Sequence, residues 1–299
     1  MTAHDGNGWK RCELGHRHWG RYGAAGLLVT APEASGNPTV LLQLRSHWVS
    51  HGGTWAPPGG ARDSHESAVG AALREAAEEC SIDTSAVRVL GIRTDDHGGW
   101  SYQTVLAAAP APLPVSAVSA ETRDVAWLPV ADVDRLRLHP GFFVQWSALR
   151  AALVPLTIIV DVANVMGSRP DGWWKDRAGA ARRLLDDLAR LGSRGVGVVP
   201  GRAPGTTLDR WFPRYIAVLE GAAAAAGGDD LADPEEADAG WASHLVVARA
   251  AGSGDDEIAS LAALTPGERL VVTADRELRA RCEDAGAKVI GPRWLLGQL

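Results

Sequence analysis

A chain of 299 residues with 46% hydrophobic content can bury two separate cores, and its net charge of -6 argues against a general nucleic-acid coat. No apolar run approaches the length that spans a bilayer, and the opening stretch "MTAHDGNGWKRCELGHRHWG" has no apolar signal segment, so a soluble cytoplasmic protein without a membrane partner is expected. Cys12, Cys80 and Cys282 are widely spaced and odd in number, which excludes a disulfide framework and predicts reduced thiols.

Taken in chain order, Cys12, His16 and His18 offer zinc-type donors first. With no fourth donor evident, ordinary packing and surface roles are the expectation. "AAGLLVTA" and "TVLLQLR" then read as strands joined by a turn at "PEASGNP". A helix follows from about Ser64 to Cys80, then the strands "VRVLGIRT", "YQTVLAAA" and "VAWLPV". A closing helix from Gly141 to Leu153 stops before Pro155, which sets a boundary between domains at 1–154 and 155–299.

On the long helix, Val69, Ala72, Leu73 and Ala76 follow the period of a buried face. Glu75, Glu78 and Glu79 then fall within an arc of about 100° beside it and can converge on one point. Carboxylates there oppose the negative end of the helix dipole, so a cation is expected to answer them. Gly60, Glu66, Arg74, Glu75, Ala76, Glu78, Glu79 and Ile82 stand at the spacing of the Nudix box, and the segment from about Trp19 to Leu153 resembles the Nudix hydrolases. Ser81 departs from the pattern, standing where the family has glycine. The resemblance implies an α/β fold, a mixed sheet sandwiched between helices, and cleavage of a nucleoside diphosphate linked to another group. It also implies Mg²⁺ or Mn²⁺ as cofactor, held by Glu75, Glu78, Glu79 and the backbone carbonyl of Gly59, with Glu75 and Glu79 catalytic. Arg74 and Glu66 are expected to pair and fix the loop to the helix, supported by Gly60. Glu121 and Trp100 are candidates for substrate contact, and Trp48, Trp55 and Trp100 are each candidate base platforms, though large aromatics more often form core or wall.

The second half changes rhythm. "LTIIVDVANV", a helix from Lys175 to Leu191, "GVGVVP", a helix near Trp211, "HLVVARA", a helix from Asp255, "RLVVTAD", a helix from Arg276, "AKVIG" and a last short helix alternate strand with helix. That alternation predicts a parallel sheet covered on both faces. Residues 221–240, with Asp229, Asp230, Asp233, Glu235, Glu236 and Asp238, read as an acidic solvated loop. Lys175, Arg177, Arg182, Arg183, Arg190 and Arg194 give one helix a basic face open to RNA.

Asp161 and Asp275 end predicted strands, and Asp255 with Asp256 opens a helix. In a parallel sheet these positions share one edge, although each alone reads as a helix cap. "VDVANV", "GSGDDEI" and "VVTADRELRARCEDAGAKVIGPRWLL" resemble the PIN-like nucleases, in particular the NYN branch. The resemblance implies metal-dependent RNA cleavage in a PIN-like parallel-sheet domain, with Asp161, Asp255, Asp256 and Asp275 as ligands. Asp161 and Asp275 are the catalytic pair, Asn164 orients Asp161, and Asp176 is an additional ligand or a helix charge. Trp173 and Trp174 are expected to pack at the sheet edge.

The leading expectation is therefore a two-domain metal-dependent hydrolase acting on a nucleotide and on RNA. The alternative keeps the first domain as a nucleotide sensor that regulates the nuclease.

Overall fold

The computed structural model describes residues 4–170, 172–202, 208–226 and 243–299. The chain divides into two compact units, Met1–Leu153 with Ala203–Arg210, and Val154–Arg202 with Trp211–Leu299.

The first unit opens with a hairpin, β1 (Trp9–Arg11) and β2 (Arg17–Trp19). There follow β3 (Ala24–Pro32), β4 (Pro38–Arg45), β5 (Trp55–Ala56), β6 (Gly59–Ala61), α1 (Ala68–Cys80), β7 (Arg88–Asp96), β8 (Ser101–Ala108), β9 (Thr122–Pro129) and α2 (Pro140–Ala152). β3 lies at the centre, parallel to β8 and antiparallel to β4 and β6; β4 also pairs with β5 and β9, and β7 with β8, so the sheet is mixed. Every β3 residue from Ala24 to Ala31 is buried, which requires cover on both faces of the sheet.

α1 begins later than the sequence suggests, because Ser67 caps it by accepting the Gly70 N–H at 3.1 Å. Its buried face is also rotated: Ala68, Ala71, Ala72 and Ala76 pack on Ala25, Leu27 and Val29, while Val69 and Leu73 are only half-buried. Alanine side chains let the helix axis approach β3 closely, and this swings Glu79 and Cys80 into the buried face rather than beside it. At the far end Ser81 takes the left-handed conformation, φ 54°, and its N–H reaches the Ala77 carbonyl at 3.0 Å.

The second unit comprises β10 (Leu156–Asp161), α3 (Val162–Gly167), α4 (Arg177–Arg194), β11 (Arg210–Trp211, its first residue in the other unit), β12 (Arg214–Leu219), β13 (Leu245–Arg249), α5 (Gly254–Leu264), β14 (Glu268–Val272), α6 (Arg276–Asp284), β15 (Lys288–Ile290) and α7 (Pro292–Leu296). Five parallel strands run in the order β13, β12, β10, β14, β15. Two expectations fail here. "GVGVVP" makes only an isolated bridge at Val196, and the segment after Trp211 is strand, not helix. In β12 the run Tyr215–Leu219 is buried throughout, as a central parallel strand requires. The acidic cluster Asp229 to Asp238 lies outside the described residues.

Candidate functional site

In the first unit β6 is pinned to β3 through the pairs Gly26 with Gly59 and Ala25 with Gly60, and α1 packs over the same strand. The loop and the helix end are thereby fixed against each other. A Cβ on Gly60 would lie 2.6 Å from the Glu75 carboxyl, so only glycine lets the backbone pass so close to that side chain.

Arg74 ties this junction together. Its Nε and Nη2 bond both oxygens of Glu66 at 2.7 and 2.9 Å, and Nη2 also donates to the Ala61 carbonyl at 3.0 Å. Nη1 reaches Glu75 at 2.8 Å and Glu78 at 3.1 Å. Part of the cation expected at the helix end is therefore Arg74 itself, a role beyond the Glu66 pair. Glu78 is half exposed, Glu75 is 15% exposed and Glu79 is 6% exposed, so the three carboxylates run from water into the core.

Glu79 is the outlier of the set. Its Oε2 accepts the Gly59 N–H at 2.8 Å and the Gln43 amide at 2.8 Å, and among the described residues no ion pair reaches it. Burial, with the Glu75 charge nearby, pushes its carboxyl up to about 7; burial also raises Glu75. Gln43 in turn accepts from the Thr122 hydroxyl, so the start of β9 is tied to Glu79. Gln43 and Thr122 escape sequence reasoning because polar residues inside strands resemble surface positions until the fold buries them. Among the described residues, groups of three or more metal-type donors within 4.8 Å of one another occur elsewhere, and Glu75, Glu78 and Glu79 are not gathered that tightly.

Glu121 is exposed and supports the same region through its backbone, its carbonyl accepting the Ser46 N–H at 2.8 Å. Trp100 stacks on His18 at 3.9 Å and donates to the Gly20 carbonyl at 3.0 Å, which leaves less of its surface for a base. It also lines a cavity of about 350 Å³ with Lys10, Arg21, Tyr22 and Arg62. Trp48 is 75% exposed.

In the second unit the strand order reverses direction between β10 and β14, the crevice where open parallel sheets bind ligands. Asp161 ends β10 and Asp275 follows β14, so both flank that crevice. Asp161 is buried; it accepts the Asn164 N–H at 2.9 Å and the Thr273 hydroxyl at 2.8 Å. Asn164 meets Asp161 through its backbone N–H, while its side chain accepts the Ala274 N–H at 2.9 Å, bracing the loop that carries Asp275. Asp275 caps α6 through the Leu278 N–H at 2.8 Å. Burial raises the proton affinity of Asp161, and Asp255 and Glu220 add to it; burial does the same to Asp255, with Asp275 and Glu220 contributing. Asp161 and Asp255 therefore share a negative field to which Glu220 contributes at both. Asp256 also raises Asp255, but it is exposed and paired with Arg281 at 2.7 Å.

Glu220, absent from the sequence reading, sits just past β12 and accepts the Gly254 N–H at 2.8 Å. It was hidden by the misread strand, since only a strand there carries the residue that follows it to the acidic edge. Asp176 is the cap of α4, accepting the Gly179 N–H at 2.8 Å. Trp174 is 58% exposed rather than packed. On α4, Arg190 pairs with Asp187 at 2.5 Å, while Arg182 and Arg183 face solvent.

A NUDIX domain model matches residues 20–147. A Mycobacterium tuberculosis protein named "Putative 8-oxo-dGTP diphosphatase 3" is 42% identical over 160 residues, 52% of this chain and 72% of its own length. A nucleoside triphosphate pyrophosphatase/Nudix hydrolase fusion protein of Bifidobacterium longum is 38% identical over 152 residues, 50% of this chain and 32% of its own. Among solved structures, the M. smegmatis Nudix hydrolase RenU is 42% identical with a TM-score of 0.47, covering 48% of this chain and 93% of that one. With the box residues seated on the loop and helix described above, the chain belongs to the Nudix family.

Proposed function

We propose that the first unit hydrolyses the phosphoanhydride of a nucleoside-diphosphate-linked compound. The observation that carries this reading is Glu79: a buried carboxylate fixed by the Gly59 N–H and the Gln43 amide, with an affinity for protons close to neutral. Such a group can accept a proton from water at working pH. The donor set suits a hard divalent cation, because Glu75 and Glu79 are carboxylates whose burial is not offset by a full complement of charge. Glu75, Glu78, Glu79 and the Gly59 carbonyl would hold Mg²⁺ or Mn²⁺, which would supply charge neutralisation for diphosphate oxygens. Arg74 keeps Glu75 and Glu78 aimed at the loop, and Gln43 keeps Glu79 from turning away. The name of the M. tuberculosis relative favours a nucleotide as substrate. Glu121 and the exposed part of Trp100 are the proposed substrate contacts.

For the second unit we propose a PIN-like, NYN-type ribonuclease using Asp161, Asp255 and Asp275, with Glu220 added and Asp256 reduced to a supporting place beside Arg281. Support comes from the raised proton affinity of Asp161 and Asp255, which burial and neighbouring acids cause, beside the switch point of a parallel sheet. The exposed Arg182 and Arg183 offer RNA a basic approach.

The test is a panel of nucleoside diphosphate-linked compounds and single-stranded RNA, assayed with Mg²⁺, with Mn²⁺ and with neither. Metal-dependent turnover of a panel member supports the reading. Saturable nucleotide binding without product would instead make the first unit a sensor.

A further inference from the structure

Two turns of the first unit meet away from the Nudix box. One joins β1 to β2 and runs from Cys12 to His16, closed by the Cys12 N–H on the His16 carbonyl at 3.0 Å. The other joins β7 to β8, closed by the His97 N–H on the Trp100 carbonyl at 2.9 Å. They are latched by the Glu13 N–H on the Gly98 carbonyl at 2.9 Å, and Gly98 is left-handed, φ 71°, where a side chain would collide with Glu13. This meeting gives Cys12, His16 and His18 the partner that the sequence left missing. It is His97, about eighty residues on.

We propose that Cys12, His16, His18 and His97 form a structural zinc site. One donor atom from each lies within 4.8 Å of all the others. Tetrahedral zinc, with Zn–N of about 2.0–2.1 Å and Zn–S of about 2.3 Å, sets donors roughly 3.3–3.6 Å apart, so small side-chain rotations close the site. Two ligand nitrogens have no other employment: His18 Nε2 and His97 Nδ1 are buried without a hydrogen-bond partner. In a protein interior such orphans are rare and ask for an explanation.

The surroundings are those of a ligand set. His97 Nε2 lies 3.3 Å from an Asp95 oxygen, leaving Nδ1 for metal, which is the carboxylate–histidine–metal relay that orients metal-bound imidazoles. His18 is held flat against Trp100, 9° from parallel, so its ring cannot rotate freely. The three imidazoles meet edge to face, with centroids 4.7–6.1 Å apart, as rings radiating from a common centre do. One thiolate and three imidazoles select zinc over magnesium, and four protein donors leave no open position, which marks a structural rather than a catalytic site. On binding, the Cys12 thiol gives its proton to solvent and the imidazoles bind neutral. The ion would clamp the β1–β2 hairpin to the β7–β8 turn and so fix Trp100 and the wall of the cavity beside it.

The experiment uses the untagged 299-residue chain, loaded with zinc or cobalt alone and desalted. About one zinc per chain is expected by elemental analysis, falling at least about tenfold in Cys12→Ser and in His97→Asn. Cobalt should give the visible bands of a tetrahedral ion with a thiolate charge-transfer band that Cys12→Ser abolishes. Glu79→Gln, which strikes the proposed hydrolase, should keep full zinc and the same spectrum. A wild-type chain that holds no more zinc than the variants and gives only the spectrum of hydrated cobalt would overturn the proposal. The cobalt spectrum needs no variant, so misfolding of a mutant cannot mask the outcome.

Discussion

Ser81 stands where the Nudix pattern has glycine, and its φ of 54° is the conformation that glycine adopts without steric cost. Serine there strains the cap by an amount of the order of 1 kcal/mol, since its Cβ crowds the following carbonyl. Ser81 is exposed, so replacing it loses no packing. Ser81→Gly should stabilise the chain by about 0.5–1 kcal/mol in urea unfolding, and a destabilised variant would show that the turn is not under strain. At this scale the sequence was most informative where spacing carries meaning. Glu66, Arg74 and the glutamates of α1 are recognisable from their intervals alone. Gln43, Thr122 and Glu220 were not, because their importance comes from strands that bring them beside residues far away in the chain.

Among the elements, α2 carries a titration with a definite sign. His139 caps it, with Nδ1 accepting the Gly141 N–H at 3.2 Å, and so must be neutral at that atom. Burial, with His51 4.6 Å away and Arg45 nearby, pushes its pKa down to about 4. The unfolded chain takes up that proton near the ordinary histidine value of about 6.5, so the unfolded state binds more protons between the two. Stability is full above that range and falls as pH drops from 6.5 towards 4. His139→Asn keeps a capping acceptor without the titration. The difference in unfolding free energy between pH 7 and 4.5 should shrink by about 2 kcal/mol in the variant, and equal slopes in the two proteins would contradict the argument. The long strands β3, β4, β7, β8 and β9 were readable because apolar runs bounded by turn residues mark them, whereas the two- and three-residue strands β1, β2, β5 and β6 are too short to carry a pattern. β12 was missed because a buried central strand lacks alternation, and "RYIAVLEG" between proline and alanine-rich sequence has no period of its own. The rotated face of α1 was missed because alanine carries little hydrophobic signal yet packs most closely.

Across the whole molecule, each unit gathers acids at a junction that its own sheet creates: a loop and helix end over a mixed sheet in the first, the switch point of a parallel sheet in the second. The Nudix membership of the first was legible from one motif, whereas the second offers looser signals and rests more heavily on geometry. Because the two acidic sets belong to separate units, their chemistry should separate by mutation. Asp275→Asn should abolish metal-dependent RNA cleavage and leave nucleotide turnover untouched. The most direct measurement is the rate of Mg²⁺-dependent nucleotide hydrolysis by Glu79→Gln beside the wild type, with thermal unfolding as a control for folding. A fall of about a hundredfold to ten-thousandfold at unchanged Tm, with RNA cleavage intact, is the result expected of a buried proton acceptor. Wild-type rates from the glutamine variant would mean that Glu79 only packs, and that the hydrolytic centre lies elsewhere.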